Sequence, residues 1–202
     1  MASRVLPIGM APSVAMALLG SARKVLLSGG ESAHSLCMRI AARAACRRNR
    51  VVFICGDNRF DPYAISRAAK VTGVRPEDAL RSIKVARAFT AYQLSELVSR
   101  LDSGATEDVV VISGPCSTFF DEDVSAVDAA RLFYRMLWRI VELSQSGMTL
   151  LLAQSAADPS ARRAYFLTDL CRVSEAVMHL DGRHSFTLSQ RPGRKGALSA
   201  GC

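Results

Sequence analysis

The sequence predicts an α/β protein: a mostly parallel, twisted sheet flanked by helices and ending in a β-hairpin. Short apolar runs recur along the chain without a polar interruption, as strands covered on both faces require. Between them lie longer stretches whose apolar residues repeat at helical spacing, so strand and helix signals alternate rather than segregate. Half of the 202 residues are apolar, enough to build one sizeable core without metal or disulfides.

Taken in order, Lys24–Leu27 reads as the first strand, Ser28–Ser32 as a small-residue turn, and Ala33–Arg48 as the first long helix. Val51–Cys55 is the next strand, and Asp61 caps a helix over Pro62–Thr72 with proline in its first turn and Gly73 at its end. Ile83–Ala86 and Val109–Ile112 are strands, each followed by a helix, Ala91–Ser103 and Ser125–Ser146. The second of these carries Leu132, Phe133, Met136, Leu137 and Ile140 on a broad apolar face, which suits core packing. Thr149–Ala153 is the last strand of this series. A polar loop over Ser155–Ser160 and a short helix over Tyr165–Ser174 then lead to a hairpin, Ala176–Leu180 and Ser185–Gln190, turned through Asp181-Gly182. Residues 1–190 are expected to form one domain, and residues 191–202 a basic, disordered tail rich in Gly and Ser. Pro7 and Pro12 interrupt Met1–Leu19, so neither a signal peptide nor a membrane span is predicted there.

The formal net charge is +8, which favours a polyanionic partner, nucleic acid before an anionic membrane. Three cationic clusters stand out: Arg43/Arg47/Arg48/Arg50, Arg162/Arg163, and Arg191/Arg194/Lys195. The first closes a helix, where cations complement the dipole. The other two lie in loop-like sequence, where phosphate contact is the preferred reading. Six scattered cysteines without a C-x-x-C pair read as reduced thiols of an intracellular protein, and the three histidines show no zinc-ligand spacing with them.

Val25–Ala42 has the strand–turn–helix layout of a phosphate-binding loop. That loop uses glycines so that backbone N–H groups wrap the phosphates, a lysine for charge and a hydroxyl for Mg²⁺. With Ser35 as the hydroxyl, the window is Ser28-Gly29-Gly30-Glu31-Ser32-Ala33-His34-Ser35. Ser28 and Ala33 then take glycine positions, and His34 takes the lysine's. An ordinary tight turn at Gly29-Gly30 is the plain alternative.

Val51–Val98 carries Asp57 after a strand, Phe60-Asp61-Pro62 at a helix start, and Val85-Ala86-Arg87-Ala88-Phe89 followed by Gln93. With the loop before it, this run resembles the RecA/RadA recombinase family, in particular its archaeal and eukaryotic branch. Val109–Phe120 resembles that family's Walker B strand and the start of its first DNA-binding loop. Arg131–Gly147 and Thr149–Gln154 resemble its next helix and strand, with Gln154 at the sensor glutamine. Ser155–Arg163 would be a shortened second DNA-binding loop, and the terminal hairpin is also similar.

The resemblance implies a RecA-like core covering nearly the whole chain, with ATP and Mg²⁺ between Gly29 and Ser35, Asp57 as the catalytic acid, and Arg162 and Arg163 on DNA. Two departures bear on activity. His34 replaces the lysine and is mostly neutral at its usual pKa, and Ser113 replaces the Walker B aspartate, so two charges needed for phosphoryl transfer are missing. No N-terminal domain or polymerisation segment is recognised ahead of the loop. These features point to a paralogue accessory protein of homologous recombination, binding single-stranded or branched DNA and a recombinase, a paralogue or itself, with little or no ATP hydrolysis. Two alternatives stay open: a DNA-dependent ATPase in which Lys24 or a neighbouring subunit's arginine replaces the lysine, and a RecA-type interaction module outside DNA repair. Asp57 reads equally well as a turn or capping residue, and Gln154 as a satisfied polar group at a strand end.

Overall fold

A computed structural model describes residues 2–102, 108–155, 162–182 and 185–190. Eight strands form one sheet: β1 (Ala2–Pro7), β2 (Lys24–Ser28), β3 (Val51–Cys55), β4 (Ile83–Arg87), β5 (Val109–Ser113), β6 (Thr149–Gln154), β7 (Ala176–Leu180) and β8 (Ser185–Gln190). Their spatial order is β1-β8-β7-β2-β6-β5-β3-β4. From β7 to β4 every pairing is parallel, while β7–β8 and β8–β1 are antiparallel.

Among the described residues seven α-helices connect and cover the strands: α1 (Ala11–Ser21), α2 (Glu31–Cys46), α3 (Pro62–Val71), α4 (Pro76–Arg81), α5 (Ala91–Ser99), α6 (Ala126–Gln145) and α7 (Tyr165–Val173). Parallel crossovers are right-handed, so the direction in which the chain steps along the sheet decides the face its helix covers. From β2 to β4 the chain steps one way, and α2, α3 and α4 share a core with α1. From β4 onward it steps back, and α5, α6 and α7 share the other. Strand side chains alternate accordingly: Leu27, Phe53 and Val111 face the first core, and Leu26, Ile54 and Ile112 face the second. The second core is centred on Phe119, Phe133 and Phe166, with ring centroids 4.3–5.9 Å apart. Phe119 is thus a packing residue.

The N-terminal segment differs from expectation. β1 pairs along its length with β8 from Ala2↔Gln190 to Pro7↔Ser185, and α1 packs into the first core through Ala11, Ala15 and Leu18. The hairpin is therefore extended to a three-stranded antiparallel flank with β8 in its middle. α4 was also absent from the sequence reading, although Pro76 with Glu77 and Asp78 in the first turn is a recognisable helix start. α2 begins at Glu31 rather than Ala33, a shift that matters at the site below. The basic tail with Arg191, Arg194 and Lys195 lies outside the described residues. Among the described residues no helix is long and apolar enough to cross a membrane.

Two thiols lie deep in these cores. Burial above all, aided by Asp57 for Cys37 and by Cys171 for Cys116, pushes both well above the ordinary value near 9. A group held protonated in the folded chain but ionised in the unfolded one gives stability that is complete below pH 9 and lost above it. Between pH 9 and 10 each should cost up to about 1.4 kcal/mol. Urea unfolding across that range should show a flatter pH dependence in Cys37→Ala/Cys116→Ala than in the parent chain.

Candidate functional site

Adjacent parallel strands β2 and β6 send the chain to opposite faces, β2 into α2 and β6 towards α7. The chain leaves them for opposite faces beyond Gly29 and Gln154, a switch point of the kind at which α/β sheets bind ligands. The residues singled out around Ser28, Asp57, Ser113 and Gln154 lie at this end of the sheet.

The turn after β2 consists of Gly29 and Gly30. Gly29 adopts φ +125°, and a Cβ there would stand 2.5 Å from the Leu180 carbonyl oxygen, so only glycine fits between β2 and β7. Gly30 is the N-cap, and α2 is already wound at Glu31. Glu31 and Ser32, expected in the turn, consequently sit on the helix together with Ala33, His34 and Ser35. Ser32 Oγ donates to the Gly182 carbonyl at 3.0 Å, and Ser35 is exposed. Glu31 places its own carboxylate on the first turn, where the dipole favours an anion, and pairs with the Arg59 guanidinium. A phosphate cradle needs an extended run of free N–H groups and a cation reaching the terminal phosphates. A two-residue turn, a helix wound to Glu31 and an imidazole do not supply them, so the residues present do not fit ATP and Mg²⁺ in the manner the motif implies.

Asp57 is the centre of the polar network. Ser113 Oγ donates to Asp57 Oδ2 at 2.6 Å, and the Arg59 N–H and Cys55 Sγ donate to Oδ1 at 3.3 and 3.5 Å. His34 Nδ1 faces the same Oδ2 at 3.9 Å, beyond hydrogen-bond reach, and has no partner. Gly114 makes this possible: at φ +65°, with any Cβ only 2.6 Å from that of Asp57, it lets the β5 exit slide beneath the carboxylate. Burial and then the Asp57 charge raise the Cys55 pKa. The cluster thus holds a fixed carboxylate, a hydroxyl, a neutral thiol and an imidazole.

Gln154 is buried. Its Oε1 accepts the Cys116 N–H at 2.8 Å, and its carbonyl accepts the Gly29 N–H at 3.2 Å. It ties β6 to both neighbouring exits. Arg162 is exposed, with no partner among the described residues. Arg163, expected on phosphate, donates its guanidinium to the carbonyls of Phe119, Asp121 and Val124 at 2.6–2.8 Å. For Lys24 the expectation is corrected. It opens β2 at the far end from Gly29 and donates to Ser144 Oγ at 2.5 Å and Glu175 Oε1 at 3.0 Å, so it cannot replace the missing lysine. The sequence did not reveal Arg59 and Cys55 as members of the site, since neither belongs to the loop motif; only the pairing of β3 with β5 brings them in.

Ser113→Ala removes a buried donor from a carboxylate and should destabilise the chain by about 1–3 kcal/mol in urea. Arg163→Ala should cost about 2 kcal/mol by the same measurement, since three carbonyls lose a charged donor. No protein-family model matches this chain and no curated protein matches it, so its site stands on its own geometry.

Proposed function

We propose that this chain is a RecA-type core serving as an accessory protein of homologous recombination, attaching to single-stranded or branched DNA and to a recombinase or paralogue, with little or no ATP hydrolysis. The observation that carries the proposal is the substitution pattern at one end of the sheet. The loop after β2, Asp57 after β3, Ser113 at the end of β5 and Gln154 at the end of β6 occupy the positions that the RecA/RadA resemblance assigns to the reactive groups. The two charges that would act on a nucleotide are replaced, and Asp57 is held by the protein's own donors. Further support comes from Phe60-Asp61-Pro62, where Asp61 caps α3 through the Tyr63 N–H at 2.8 Å, and from Gln93, which accepts the Phe89 N–H at 2.8 Å after β4.

DNA attachment in this proposal is electrostatic. Arg162 contributes from the segment before α7, and Arg191, Arg194 and Lys195 contribute from the C-terminal segment. Each phosphate neutralised on a single strand adds about 0.7 to the dependence of log affinity on log salt. Binding of a fluorescent oligothymidylate should therefore weaken steadily from low to physiological salt, and Arg162→Ala should lower the slope by about 0.7. Salt-independent binding would overturn the mechanism. ATP turnover abolished by Asp57→Asn would instead establish an ATPase.

A further inference from the structure

A groove of about 990 Å³ runs between α2 and α3, from Glu31, His34 and Arg59 beside the candidate site to Cys46 and Val74. Its floor is apolar, built from Met38, Phe60, Ala64, Ala68 and Val74. One wall is α2 with its C-cap, where Arg39, Arg43 and Arg47 recur at every fourth residue, all exposed. That spacing stacks their heads one turn, about 6 Å, apart on a single helix face.

The groove's other charges are already matched. Arg59 pairs with Glu31, and Arg67 pairs with Asp61 at 3.2 Å. Arg39, Arg43 and Arg47 have no acidic partner among the described residues. The helix dipole accounts for cations in the last turn of α2. It does not account for Arg39, nearly two turns earlier, nor for apolar surface beside the ladder. Val71, on the opposite wall, is 88 % exposed.

We infer that this groove docks an acidic amphipathic helix of a partner protein, with carboxylates at four-residue spacing facing Arg39, Arg43 and Arg47 and an apolar stripe on the floor. Charge complementarity selects the occupant: three unmatched guanidiniums in register along a helix match three carboxylates in register along another, and a helix lying between two helices fills the space with its apolar side. A nucleic-acid strand suits the groove less well. Strand binding draws on exposed aromatic faces for base stacking, and the groove's phenyl ring, Phe60, packs edge-on against Phe53 at 5.0 Å between centroids. The inference stands apart from DNA attachment, since Arg162 is not part of this groove.

A fluorescein-labelled four-turn synthetic peptide, with glutamate at every fourth residue beside a leucine stripe, provides the test by anisotropy at about 0.15 M salt. The expected result is saturable binding that weakens at least about tenfold in Arg39→Gln/Arg43→Gln/Arg47→Gln, and also weakens in Val71→Asp. Both variants change exposed side chains, and unchanged thermal unfolding would verify that they fold. Replacing the leucines of the peptide by serine should abolish binding, and Arg162→Ala should leave it unchanged. Equal affinity of the serine peptide, or of the triple variant, overturns the inference. So does an oligothymidylate that displaces the peptide and loses affinity in the same triple variant, which would assign the ladder to nucleic acid. Loss of DNA binding in Arg162→Ala with peptide binding intact would separate the two surfaces.

Discussion

Everything at the candidate site depends on the handedness of parallel crossovers. Because the chain must return to a parallel neighbour by a right-handed path, stepping from β2 towards β4 commits α2 and α3 to one face, and stepping back commits α6 and α7 to the other. The reversal leaves β2 beside β6, with the chain departing from them to opposite faces. No side chain creates that switch point; connectivity does. The side chains decide only what it can hold.

What they place there is a set of groups that satisfy one another. Glu31 brings an anion to the N-terminus of α2, the place where a bound phosphate would profit from the dipole, and Arg59 neutralises it. Ser113 turns its hydroxyl to Asp57, and the Arg59 N–H fills the other carboxylate oxygen. Gly29 could have opened the turn to a ligand, yet its Cα is pressed against the Leu180 backbone, so its freedom goes to close packing with β7. His34 Nδ1 is the exception, buried without a partner and facing a carboxylate too distant to bond. Such an atom costs stability wherever no compensating contact exists. The strand exits are therefore joined by their own groups, and the imidazole beside Asp57 keeps a buried nitrogen without a partner among the described residues.

The central parallel strands β2, β3, β5 and β6 were legible because they are buried on both faces and must be apolar almost throughout: Val109–Ile112 could hardly be anything else. Helices with strong caps were legible as well, Asp61-Pro62 being the clearest. β1 was not, because an edge strand is covered on one side only, and Arg4 and the 71 % exposed Val5 give it no hydrophobic signature. The start of α2 was misplaced for a related reason. Glu31 and Ser32 are as acceptable in a loop as in a first helical turn, and the choice was made by Gly29 packing on Leu180, a contact across about 150 residues. Asp57 and Gln154 were found as residues, but their partners were not, since hydrogen bonds between strand exits depend on sheet order. The carbonyl partners of Arg163 were hidden for the same reason: a loop arginine looks free until the turn it clamps is seen.

Net charge is a poor guide to where this molecule meets others, and its distribution a better one. On α6, Arg131, Arg135 and Arg139 form a basic row much like that on α2, yet each is answered by Asp128, Glu96 or Glu142. Such exposed pairs contribute little to stability, but they cancel the field of that face. The same residue type on α2 has no local answer over the last two turns, and there the field persists into an apolar groove where it is less screened than on open surface. Two arginine rows of equal sequence appearance thus differ in physical effect. A surface that carries both uncompensated charge and uncovered apolar area can lower its free energy only against a partner supplying both, and on this chain α2 with α3 forms such a surface.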